Sequence, residues 1–183
     1  MKLAYVHVCG FRGYQKPIRI DFSDSFTIID GRNGVGKSTI FDAVEFALTG
    51  TISKYLDAKS GRESVSDYMW WAGEGDGLTD RFVEIGLRDA AGIVTVRRTP
   101  FDDEGSYADS FLDRLIDPVF APKLPMTQLC KSTIIRDEHI ARMSLDLKEG
   151  DRFVLLREAI GAPDAEEWIE RARGLVAATS ARV

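Results

Sequence analysis

Nine consecutive residues carry the clearest chemistry in the chain: Gly31-Arg32-Asn33-Gly34-Val35-Gly36-Lys37-Ser38-Thr39. They satisfy the spacing G-x-x-x-x-G-K-[ST]. Gly31, Gly34 and Gly36 permit backbone angles and a close approach that a Cβ would block. The amide hydrogens of such a loop converge on phosphate oxygens, helped by the N-terminus of the helix that follows. Lys37 is expected to neutralise the β- and γ-phosphates and is the catalytic candidate. The Ser38 hydroxyl is the candidate magnesium ligand, and Thr39 is placed to reach the α-phosphate. Arg32, Asn33, Gly34, Val35 and Gly36 complete the predicted cradle. The pattern therefore predicts ATP with Mg2+ as ligands. At ordinary residue frequencies it arises by chance in roughly one chain in a hundred of this length, so its structural context matters.

That context fits. Phe26 to Ile29 reads as a short apolar strand entering the loop, and a helix is expected from about Ser38 to Leu48. In the helix Ile40, Phe41, Val44 and Leu48 recur at helical spacing, and Gly50 closes it. Upstream, Ala4, Val6 and Val8 alternate as in a half-buried strand, and Ile18, Ile20 and Phe22 mark a second that can pair with it. Gly10 and Gly13 bracket a turn containing Phe11 and Arg12. Val83, Ile85 and Leu87, the turn Asp89 to Gly92, and the return Ile93 to Thr99 predict a β-hairpin. Pro122 and Pro125 predict a loop, and Ser132 to Arg136 a strand. Asp164 to Arg182 reads as a helix with a thin apolar face, chiefly Trp168, Ile169, Leu175 and Val176, that needs a partner.

The chain has 183 residues, 44% apolar and 29% charged, enough for a real core. The formal charge of −5 means that the whole molecule does not attract nucleic acid, so any DNA contact must come from a local basic patch or from other parts of the protein. Cys9 and Cys130 form no C-x-x-C pair, which argues against a disulfide scaffold or zinc site. No secretory signal and no membrane span is visible, which suits a cytoplasmic protein.

Thr27-Ile28-Ile29-Asp30, the loop, Ile40-Phe41-Asp42-Ala43-Val44 and Leu48-Thr49-Gly50 closely resemble the ABC-type ATPase heads of SMC (structural maintenance of chromosomes) proteins and their SbcC-type and RecF-type repair relatives. Val8-Cys9-Gly10-Phe11-Arg12 resembles that family's first strand and Phe-Arg turn. The resemblance implies an α/β fold: a P-loop NTPase, the N-terminal lobe of an ABC-type head, with a mixed sheet and a β-hairpin. It implies a phosphate contact for Arg12. Tyr68 to Trp71 lies where relatives contribute contacts, although Trp70 and Trp71 also read as core. Lys54, Lys59 and Arg62 lie where relatives sometimes meet DNA, although a plain surface loop is the simpler reading. The family's Q-loop glutamine has no counterpart. Without a gap Asp137 takes its place, as a nucleotide-site carboxylate able to approach Mg2+; with a one-residue slip, Arg136 does.

An ABC-type head also needs an apolar strand ending in Asp-Glu and a Ser-Gly-Gly-type signature. Neither is visible in this sequence. The resemblance implies that they lie in a C-terminal lobe beyond a coiled coil. The expected division is residues 1–162 as the N-terminal lobe and 163–183 as the helical start of that coiled coil. The expected partners are that C-terminal lobe, a second head in a homodimer, DNA, and a nuclease or accessory subunit. The expected activity is ATP hydrolysis by the completed head, with little turnover by this chain alone. Two alternatives stand beside it: a nucleotide-gated binding module with little hydrolysis, and a small-molecule kinase. Arg97 and Arg98 fall on a predicted strand, which argues against the arginine-bearing lid that the kinase needs.

Overall fold

The computed structural model describes residues 1–56, 69–71, 80–102, 114, 125–135, 150, 153 and 164–180. The chain forms two compact units, Met1–Leu115 and Ile116–Val183.

The first unit is built on a four-stranded sheet. Strands β1 (Lys2–Cys9), β2 (Ile18–Asp21), β3 (Phe82–Asp89) and β4 (Gly92–Arg98) lie in the order β2-β1-β3-β4, and every pair is antiparallel. Helix α1 (Lys37–Thr49) and the single turn α2 (Ser53–Leu56) come between β2 and β3 in the chain.

Alternation sets the two faces of the sheet. Val6 lies opposite Ile20 and Ile85, and Ile85 lies opposite Val96. Val6, Ile85 and Val96 are buried, and α1 packs against β1, β3 and β4. Each such aliphatic side chain stabilises the fold by about 1.5–3 kcal/mol relative to exposure. The other face carries a cross-strand row of Arg19, His7, Glu84 and Arg97. Its arginines cover rings: Arg19 lies 3.7 Å over Tyr5 and Arg97 lies 3.9 Å over Phe82. The Tyr5 ring crosses Gly86, where an added Cβ would lie 2.2 Å from a ring carbon. Tyr5 Oη then donates to Glu84 Oε1 at 3.0 Å.

The hairpin forms as expected, with Asp89 opposite Gly92. Asp89 Oδ1 accepts the Ala91 N–H at 2.8 Å, an Asx turn that closes the loop. The predicted strand Phe26–Ile29 does not form. It has no ladder partner among the described residues, and Phe26 and Ile28 are about three-quarters exposed, at 75% and 74%. The described sheet accordingly contains no parallel pair, whereas the family resemblance implies a mixed sheet.

Helix α1 begins one residue before the predicted start and ends at Gly50, whose left-handed backbone (φ 75°) returns its N–H to Phe46 O at 2.8 Å. Its buried stripe is Ile40, Ala43, Phe46 and Ala47, while Phe41 is half exposed. Of the expected face, Ile40 and Leu48 are buried, whereas Phe41 is exposed and the small Ala43 and Ala47 are fully buried in its place.

In the second unit, α3 (Pro125–Thr133) replaces the predicted loop at Pro125 and the predicted strand from Ser132. Pro125 occupies the first helical position, where a missing N–H is harmless. Met126, Cys130 and Ile134 are buried at four-residue intervals. Ser132 and Thr133 return their hydroxyls to Leu129 O, at 3.0 and 2.6 Å, in the last turn of the helix. Helix α4 (Asp164–Ser180) lies where the sequence places it. Trp168, Ile169, Leu175 and Val176 are exposed on it.

Candidate nucleotide-binding site

The loop before α1 adopts the shape that its glycines predict. Gly34 and Gly36 have φ of 86° and 98°, a left-handed conformation that side-chain-bearing residues rarely take. Residues 31–35 are exposed, so ligand can reach the loop from solvent. Gly36 is the N-cap of α1. No side chain bonds to that helix end, and its first turn holds no acidic residue. No side-chain cap therefore competes with a ligand at this end, where the positive end of the helix dipole lies.

Lys37 arches back over the loop. Its Nζ donates to Gly31 O at 2.6 Å and to Arg32 O at 2.8 Å. An ammonium has three donors, so a hydrogen and the full charge are available to a phosphate oxygen above the loop. Ser38 is exposed in the first turn, next to Lys37. A hydroxyl there suits Mg2+, which takes oxygen ligands and needs few from the protein when phosphates supply others. Thr39 is buried, and its N–H donates to Gly36 O at 2.9 Å.

Arg12 lies in the turn after β1, with its backbone at φ 50°, the one left-handed non-glycine among the described residues. Such angles are sparsely populated and cluster at functional sites. Its N–H donates to Met69 O at 2.8 Å. Its guanidinium makes an ion pair with Asp42 of α1 and lies 4.8 Å over the Tyr55 ring. Lys54 Nζ reaches the same Asp42 oxygen at 2.8 Å. A buried carboxylate needs such partners, since its transfer from water is otherwise prohibitive. Lys54, read from sequence as a surface or DNA-facing residue, is thus an ion-pair partner within the fold.

The same turn carries Tyr14, whose Oη donates to Gly36 O at 3.1 Å. Phe11 anchors the turn. It is fully buried, with its ring 5.5 Å from Phe46 and 5.6 Å from Trp70. Trp70 is half-buried and sets its ring edge-on to Phe11 and Phe46. Lys59, Arg62, Tyr68, Arg136 and Asp137 lie outside the described residues, so the Q-loop position has no structural description.

Asp42 and Tyr14 escaped the sequence reading. A signal for Asp42 was present: it stands four residues before Phe46, and a charge in line with an apolar helix stripe demands a partner. No comparable signal marks Tyr14.

Arg97 and Arg98 both lie on β4, as predicted. Arg97 pairs with Glu84 at 3.2 Å, and Arg98 Nε donates to Ala47 O at 2.8 Å, so both are built into the sheet's packing.

A family model described as an AAA domain matches residues 5–160, most of the chain. The chain belongs to this family. Within it, this AAA domain is an SMC/SbcC-like ATPase-head N-terminal region, with an α/β P-loop fold. It is 40% identical over 78 residues to the chromosome partition protein Smc of Mycoplasma genitalium, covering 43% of this chain and 7% of that protein. It is 41% identical over 56 residues to a probable DNA double-strand break repair Rad50 ATPase of Aquifex aeolicus, covering 30% and 6%. It is 38% identical over 50 residues to the DNA replication and repair protein RecF of Desulfitobacterium hafniense, covering 27% and 13%. The AAA domain thus matches only a small part of each relative's length. Among solved structures, an SMC head domain from Thermotoga maritima aligns with a TM-score of 0.46 and 24% identity, covering 63% of this chain and 43% of that one. Among the described residues, no helix is long and apolar enough to cross a membrane.

Proposed function

We propose that this AAA domain binds ATP with Mg2+ at Gly31–Thr39 and forms the N-terminal lobe, residues 1–162, of an SMC-like ATPase head. The observation that carries the reading is the phosphate-loop geometry: left-handed Gly34 and Gly36, an uncapped helix N-terminus, and Lys37 Nζ held over the loop. In this reading Arg32, Asn33, Gly34, Val35 and Gly36 wrap the phosphates. Lys37 neutralises them, Thr39 approaches the α-phosphate, Ser38 ligates the metal, and Asp137 approaches it from the Q-loop position. Arg12 contributes its charge from the turn beside α1. Bound Mg2+ would offset phosphate charge as the γ-phosphoryl leaves, while the loop residues hold the nucleotide in place.

The site is half of a catalytic centre. A C-terminal lobe of the same protein would supply the Asp-Glu strand and the signature, and two heads would close over ATP as a homodimer. Hydrolysis would then separate them and drive DNA binding or processing through a coiled coil that starts near residue 163. Two surfaces support an incomplete assembly. Phe26, Ile28, Val35 and Phe41 are large, apolar and exposed around the loop and α1. On α4, Trp168 and Leu175, and Ile169 and Val176, recur seven residues apart and are exposed, the repeat of a coiled-coil seam. The curated relatives named for chromosome partition and double-strand break repair support the DNA-linked role, with a nuclease or accessory subunit as a further partner. The compartment proposed is the cytoplasm, at the nucleoid in a bacterial cell.

Steady-state ATP turnover tests this reading. The 183-residue chain alone is expected to bind ATP yet turn over very little, and addition of the second lobe is expected to restore hydrolysis. Robust turnover by the isolated chain would refute the half-site.

A further inference from the structure

We propose that Tyr14 is a positioning residue for the phosphate loop: its hydroxyl holds the Gly36 carbonyl and thereby aims the Lys37 N–H at the phosphates of the bound nucleotide. The proposal rests on the phosphate-loop reading above.

Tyr14 Oη donates to Gly36 O at 3.1 Å. The contact is close: a Cβ built on Gly36 would lie 3.1 Å from that oxygen and 3.2 Å from the ring carbon bearing it. The peptide joining Gly36 to Lys37 is planar and trans, so its C=O and N–H point in opposite directions. Fixing the carbonyl toward Tyr14 therefore fixes the Lys37 N–H away from it. Gly36 offers little resistance of its own to rotation of this peptide, because it lacks a Cβ and has a wide range of accessible angles. The Thr39 N–H holds the same carbonyl at 2.9 Å from within the helix, and Tyr14 adds a second donor from outside it.

Tyr14 is suited to that task because the turn that bears it is itself held. Tyr14 and Phe11 exchange backbone hydrogen bonds, N–H to O, at 3.0 and 3.2 Å. Phe11 is fully buried against Phe46 of α1, and Arg12 is tied to Asp42 of the same helix. The turn is thus fixed to the body of α1 while Tyr14 fixes its first peptide. Burial pushes the Tyr14 hydroxyl's pKa upward, so it stays protonated and donating throughout the neutral range.

The test compares wild type, Tyr14→Phe and Lys37→Ala as the 183-residue chain. Dissociation constants for MgADP and for pyrophosphate are measured by calorimetry, alongside ligand-free melting and the Lys37 amide resonance. Tyr14→Phe keeps the ring and removes one donor. It is expected to weaken both ligands about fivefold, the size of one ordinary hydrogen bond. Ligand-free melting should stay near wild type, and the Lys37 amide shift on pyrophosphate binding should shrink. Affinities within twofold of wild type, with Lys37→Ala impaired, would overturn the proposal. So would a lower melting temperature with an unchanged Lys37 amide response, or a loss for MgADP but not for pyrophosphate. Lys37→Ala binding as wild type does would instead refute the phosphate-loop reading beneath it.

Discussion

Two segments flank the phosphate loop, and they meet opposite fates. The turn Phe11–Tyr14 and the run Phe26–Asp30 each place aromatic or aliphatic residues beside glycine. In the turn, Phe11 is 0% exposed, stacked on Phe46 and set edge-on to Trp70. In the run, Phe26 and Ile28 stand in solvent. Composition does not separate them; the facing surface does. The turn meets Phe46 and Asp42 of α1, whereas the run meets no such surface among the described residues. The side of the loop that holds it is therefore finished, and the side that leads into it is exposed, unfinished until the proposed second lobe covers it. Phe41 on α1 and Val35 in the loop extend the unfinished side.

That contrast is open to direct attack. The largest effect is expected at Asp42, which joins the finished side to α1. Asp42→Ala leaves Arg12 and Lys54 without their shared carboxylate and should destabilise the chain by about 3–5 kcal/mol, measured by urea unfolding. A loss below about 1 kcal/mol would mean that the pair behaves as a surface bridge. A smaller loss is expected for Gly86→Ala. The new methyl would drive the Tyr5 ring off the sheet, at about 1–3 kcal/mol for overpacking, with the Tyr5–Glu84 hydrogen bond broken. The smallest effect is expected on the unfinished side. Phe26→Ser with Ile28→Ser should leave the stability of the isolated chain within about 0.5 kcal/mol while weakening its association with a second lobe. A large loss of stability in the isolated chain would show that these residues are already packed.

Legibility in the sequence follows the same division. The sheet was readable because Val6, Ile85 and Val96 alternate with polar neighbours and all three are buried within one unit. The hairpin was readable because Asp89 and Gly92 supply the chemistry its turn needs. The loop was readable because φ near 90° at Gly34 and Gly36 leaves few other residue types. The run Phe26–Ile29 misled because an apolar run reports a wish to be buried, not what buries it. Ser132-Thr133-Ile134-Ile135 misled for a different reason. Its β-branched residues suggest a strand, but Met126, Cys130 and Ile134 at four-residue spacing carry the helix through to Thr133. Asp42 and Tyr14 depend on contacts between segments about 22 to 30 residues apart, which a local pattern does not register.

The central claim is that Lys37 and the glycine loop bind the phosphates of ATP. Calorimetric titration of MgATP into wild type and Lys37→Ala tests it most directly. Loss of the charge-assisted contact should weaken binding by about 1.5–3 kcal/mol, with the unfolding midpoint of the free chain unchanged. Equal affinity in the two proteins would contradict the account.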